Sequence, residues 1–157
     1  MTRLLILFLT ISACHPSRKI DTGTEFKQAY RPAYIPAALS LVSGACYGVH
    51  ETVVHHPGRI PEGWNSRFWD NRESWKNKYR NGDPGQGAAY FGSTTFLAWT
   101  TDAKHLFGTA HRATMFGAGV TIGIGRKRPV LHYLYDAGLS FAAFTVGFHS
   151  IYSFDFQ

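Results

Sequence analysis

Apolar residues recur at helical spacing over three long stretches, separated by clusters of proline, glycine and charge. Pro36 stands where a first-turn proline is tolerated, and the run 37–56, rich in Ala, Ser and Gly, predicts a helix stopped by Pro57. Ser93 or Thr94 caps a second predicted helix from about Thr95, with Gly108 as a kink point and an end in the glycine-rich stretch 117–125. After the break Arg126-Lys127-Arg128-Pro129, a third runs from near Pro129 to about Tyr152. Between Pro57-Gly58 and Gly82-Asp83-Pro84-Gly85 the pattern shortens. There Phe68, Trp75 and Tyr79 fall at helical spacing among Arg67, Arg72, Lys76, Lys78 and Arg80, which predicts a short basic amphipathic helix laid on a membrane surface or on the core. The expected fold is all-α: a small bundle of three main helices plus this short amphipathic helix, membrane-anchored.

The N-terminus has its own pattern. Arg3 precedes an apolar run over 4–11, interrupted only by Thr10, and Ile11-Ser12-Ala13 leads to Cys14. The run is too short to span a bilayer and has the layout of a signal segment. Ile11-Ser12-Ala13-Cys14 resembles the lipobox of bacterial lipoproteins, with Ile where Leu is commoner. That resemblance implies a lipoprotein-type signal at 1–13, an acylated Cys14 as lipid anchor, and a place in the bacterial cell envelope. The polar residues 14–35 then read as a tether, and 36–157 as a single helical domain with its Trp-rich basic segment at 57–92. An apolar N-terminal helix with a chance cysteine is the competing reading.

Charge sharpens the partner. The chain carries a formal net charge of +6, which favours an anionic partner. With an envelope address, that partner is membrane lipid or an envelope protein, and not nucleic acid. Cys46 is the only other cysteine, so acylation of Cys14 excludes a disulfide within one chain. The charge-free runs 37–49, 85–101, 113–125 and 137–148 all fall below the roughly 20 apolar residues a spanning helix needs. An anchored, non-spanning domain and a polytopic bundle with inward-facing ionisable residues both stay open. Gly44-x-x-x-Gly48 and Gly138-x-x-x-Ala142 set small residues on helix faces suited to close packing.

Each predicted helix pairs an acid with a histidine: Glu51 with His55, Asp102 with His105, and His132 with Asp136. Three such faces turned inward supply the ligands of a helical-bundle metal site, with zinc or iron as the metal. Ordinary buried hydrogen-bonded pairs account for the same spacing. His50, His56, His111 and His149 are further candidates, with His56 and His111 placed where solvated helix ends are expected. Arg112 continues the Asp102, His105 and Thr109 face and is an expected ion-pair partner of Asp102 or Asp136. His50 to His55 is not a zincin motif, because its second His comes one residue late, about 100° round the helix. No nucleophile elbow or phosphate loop is present.

Asp102-Ala103-Lys104-His105 and Asp136-Ala137-Gly138 resemble motifs of the YfiM-type small bacterial lipoproteins and their VanZ-like relatives, over about a third of the chain. The Lys and His are shifted relative to Asp102, so the resemblance implies a membrane location and transfers no catalytic residue. The expected function is a non-enzymatic, lipid-anchored envelope protein engaging the membrane surface or a membrane partner. The alternative is a metal-dependent enzyme acting on a lipid or cell-wall substrate through Glu51, His55, Asp102, His105, His132 and Asp136.

Overall fold

A computed structural model of the chain describes residues 32–124 and 127–153. The expected signal at 1–13, Cys14 and most of the expected tether lie outside the described residues. Those described belong to one compact unit, built from α1 (Tyr34–His55), a four-residue α2 (Ser66–Trp69), α3 (Ala103–Gly123) and α4 (Val130–Tyr152). The all-α expectation holds for these residues.

Helix α1 begins two residues before Pro36, which occupies its first turn, where a missing N–H leaves no intrahelical bond unmade. Ala33 has no capping side chain; its N–H donates to Asp136 Oδ1 of α4 at 3.1 Å. Helix α3 starts at Ala103 rather than near Thr95. Asp102 is the cap, its carboxylate accepting from the His105 N–H at 2.9 Å. Ser93, the expected cap, is fully buried and its hydroxyl donates to the Lys78 carbonyl at 2.7 Å, so it ties two loops together instead. Helix α3 runs unbroken through Gly108, and α4 starts and stops where the sequence places it.

The predicted basic amphipathic helix does not form. Asp70 ends α2 in extended backbone and accepts from the Arg72 N–H at 2.8 Å, a local bond that competes with helix continuation. A 3-10 turn then covers Ser74–Lys78. Phe68, Trp75 and Tyr79 therefore share no helix face: Phe68 and Tyr79 are half-buried, and Trp75 is exposed. Asn77 holds the segment in place, its side-chain NH2 donating to the carbonyls of Arg67 and Thr101.

Helix α1 is central. It lies antiparallel to α3, with His50 against Gly108 and Ser43 bonded to His111, and parallel to α4, with Gly44 near Phe144 and His56 on Tyr152. The α1–α4 contact is backbone on backbone. A Cβ on Gly44 would overlap the Phe144 carbonyl oxygen, and one on Gly147 the Leu41 carbonyl oxygen. Gly44-x-x-x-Gly48 is thus an interface motif, as expected, but Gly138-x-x-x-Ala142 is not: Gly138 faces open space and Ala142 is exposed. Gly147 supplies the α4 side.

The interior is polar and small. Among the described residues the buried hydrophobic ones are Val53, Ala103 and Ala118, whereas Ser40, Ser43, Thr52, Asp102, His132, Asp136 and Ser140 are all buried. On the three long helices large apolar side chains point outward, most of them at one end, while a second exposed set of aromatics lies on the segment 57–101. The antiparallel and parallel pairings bring together the first half of α1 (Tyr34, Ile35, Leu41, Val42), the second half of α3 (Met115, Phe116, Val120) with Ile124 just past its end, and the first half of α4 (Val130, Leu134, Leu139, Phe141), all exposed. Phe116 and Phe141 are 75% and 74% exposed, values that no water-facing packing requirement explains. Among the described residues no helix is long and apolar enough to cross a membrane.

Candidate functional site

The other end of the bundle is polar. Near the end of α1, Glu51 lies between two imidazoles, with Oε1 at 3.4 Å from His50 Nδ1 and Oε2 at 3.3 Å from His55 Nε2. His55 is one turn on and mostly exposed, so the expected Glu51–His55 pair forms at the rim of the bundle. His50 turns inward against α3, where Gly108 makes room: a Cβ there would stand 3.0 Å from His50 Cδ2. At 3.4 Å His50 Nδ1 makes no hydrogen bond to Glu51, and, buried, it has no hydrogen-bond partner among the described residues.

Burial is the main cause holding His50 below the ordinary histidine value of 6.5; Lys104 and Arg112 push the same way, while Glu51 opposes them. Glu51 also raises the Tyr47 phenol, through a side-chain hydrogen bond before burial. Well above pH 6.5 His50 is neutral in both folded and unfolded chains and adds no pH dependence to stability. As the pH falls, the unfolded chain takes up a proton that the folded chain resists, so stability is lost on acidification. His50→Gln is expected to flatten that loss, measured as unfolding midpoints from about pH 7 to about pH 5. Parallel pH profiles for variant and parent would remove His50 from this role.

The Asp102–His105 pair forms as expected. His105 Nδ1 lies 2.7 Å from Asp102 Oδ2, the carboxylate buried and the imidazole half in solvent. Its geometry is that of a cap that also orients a ring. Asp136 accepts from Arg128 at 2.6 Å and from the Ala33 N–H, joining the start of α1, the α3–α4 loop and α4. Where Arg112 was expected, Asp136 among the described residues forms an ion pair with Arg128. Its signal was an arginine just before a helix whose second turn carries an inward-facing aspartate. Arg128 also lies 4.7 Å from the centroid of the Tyr133 ring.

The three acid–histidine pairs do not build a metal centre. Among the described residues no group of three or more His, Cys, Asp and Glu is arranged to hold an ion. Glu51 and His55 sit at the end of α1, Asp102 and His105 at the start of α3, and His132 and Asp136 in the first half of α4, toward the opposite end of the bundle. So separated, these six side chains supply no shared set of ligands for zinc or iron. His111 is no solvated helix end either: it is half-buried, 2.9 Å from the Ser43 hydroxyl, with its ring 4.8 Å from that of Tyr47. His56 meets the Tyr152 hydroxyl at 2.9 Å.

Aromatic side chains mark two further places. Trp64 packs on Trp69 at 4.6 Å, and Trp69 reaches Phe107 of α3 at 5.9 Å, which fixes the Trp-rich segment to the bundle. Phe91 and Phe96 pair at 5.6 Å and are the most exposed aromatics of this segment, where Trp64, Trp75, Tyr90 and Trp99 are exposed as well. Set against protein-family models, curated proteins and solved structures, the chain matches none of them.

Proposed function

We propose that this chain is a helical membrane protein of the cell envelope, seated in lipid by the apolar end of its bundle. Its polar end and aromatic segment then face headgroups or a membrane partner. One observation carries this: apolar side chains on all three long helices point outward at one end, around an interior of Ser, Gly, His and Asp. In water that arrangement forfeits the main driving force for folding. In lipid it is the expected one, because helices there associate through small residues, close backbone contact and polar bonds, as α1 and α4 do.

Moving an exposed Leu, Val or Phe out of water yields roughly 1.5–3 kcal/mol, so half a dozen of them exceed what a single acyl chain supplies. Seating rests on three helices together and requires no single helix to cross. Lys127, exposed beyond α3, has a long stem that lets its ammonium reach a headgroup layer. An acylated Cys14 would add a second hold.

Flotation with phosphatidylcholine vesicles tests this. The Cys14→Ser chain is expected to float with the vesicles, and the same chain carrying Phe116→Glu and Phe141→Glu to stay at the bottom of the gradient. Both phenylalanines are exposed, so their loss leaves the fold intact. If Cys14→Ser alone releases the chain, the anchor holds the protein and the bundle does not.

A further inference from the structure

Helices α3 and α4 barely touch, and between them runs a groove of about 520 Å³ over α1, within the range of roughly 300–1,000 Å³ for small-molecule sites. Met115 and Ile122 line one side, Phe141 and Phe144 the other, with Ser40 and Ser140 contributing the hydroxyls. Ser140 is 7% exposed, and its Oγ has no hydrogen-bond partner among the described residues. A helix ordinarily avoids this by bonding the hydroxyl to the carbonyl one turn back, as Thr114, Thr121 and Thr145 do here. Ser140, set in the groove, does not.

On the reading that this end of the bundle lies in lipid, we propose that the groove holds the acyl chain of a membrane glycerolipid, with the Ser140 hydroxyl donating to its ester carbonyl. The lining fits an occupant that is apolar along its length and carries a single acceptor. A peptide does not fit, since each of its residues brings a backbone donor and acceptor that this lining leaves unmet. The groove also opens among the outward side chains of α3 and α4, so a lipid enters it sideways from its own layer.

The test uses the full chain recovered from vesicles of palmitoyl-oleoyl phosphatidylcholine, with retained lipid measured by native mass spectrometry and flotation read in parallel. The parent is expected to keep one bound lipid. Gly119 lines the groove, and a Cβ there meets nothing within 4 Å, so the ring of Gly119→Phe enters the open space. This variant is expected to lose about tenfold or more of the retained lipid while floating as before. Ser140→Ala is expected to lose less, severalfold, in keeping with one neutral hydrogen bond. A parent that floats without retained lipid, or variants that retain as much as the parent, would overturn the groove assignment and leave the seating intact. Retained lipid in a chain that does not float would overturn the seating alone.

Discussion

Gly44→Ala is expected to destabilise the protein by about 3 kcal/mol, at the upper end of what one misplaced methyl group costs, because this one lands on backbone. A Cβ on Gly44 overlaps the Phe144 carbonyl oxygen and crowds the Phe148 nitrogen, neither of which can swing aside as a side chain would. Helices α1 and α4 must separate to admit it, and with them the reciprocal contact of Gly147 on Leu41. Gly138→Ala is the matched control. It lies on the same α4, faces open space, and should gain about 0.5–1 kcal/mol from helix propensity. Chemical denaturation followed by circular dichroism reads both, and two alanines of equal effect would mean that the helices do not meet at Gly44.

The second large effect is expected at the other end of the α1–α4 contact. Asp136→Leu removes the acceptor of both the Arg128 guanidinium and the Ala33 N–H. Breaking a buried ion pair from one side costs about 3–5 kcal/mol, and the low end is expected here because the Arg128 side chain is 22% exposed and keeps the Ile122 carbonyl. Adding Arg128→Met should recover part of the loss, since no half-buried charge then lacks its carboxylate. A double variant no better than Asp136→Leu would show that the two residues do not act as a pair.

Helices α1 and α4 were legible because Pro36, Pro57 and Pro129 mark ends that no tertiary contact has to decide. The start of α3 was not. Ser93, Thr94 and Asp102 are all good caps by type, and the choice among them depends on Ser93 being drawn to the Lys78 carbonyl, a contact between loops 15 residues apart. The Trp-rich segment failed for a related reason: Phe68, Trp75 and Tyr79 keep helical spacing, but Asp70 prefers its bond to the Arg72 N–H.

Of the site, Glu51–His55 and Asp102–His105 could be read because each pair is local to one helix. Whether the pairs converge is set by helix direction and rotation, which spacing does not encode, and among the described residues they do not converge. The Arg128–Asp136 pair spans a helix boundary and so escaped a search along helix faces. The Gly44 motif was read correctly in α1, whereas its α4 counterpart centres on Gly147, with Ala143 four residues before it, and not on Gly138.

The inverted distribution of apolar and polar residues is what the account stands on, and site-directed spin labelling addresses it directly. In a Cys14→Ser, Cys46→Ala background, a nitroxide at Phe141→Cys or at His55→Cys places a probe on an exposed position at each end of the bundle. With the protein on phosphatidylcholine vesicles, power saturation should find the Phe141→Cys probe open to oxygen and shielded from a water-soluble nickel chelate, and the His55→Cys probe open to the chelate. Equal access of the chelate to both probes would contradict the seating of the apolar end in lipid.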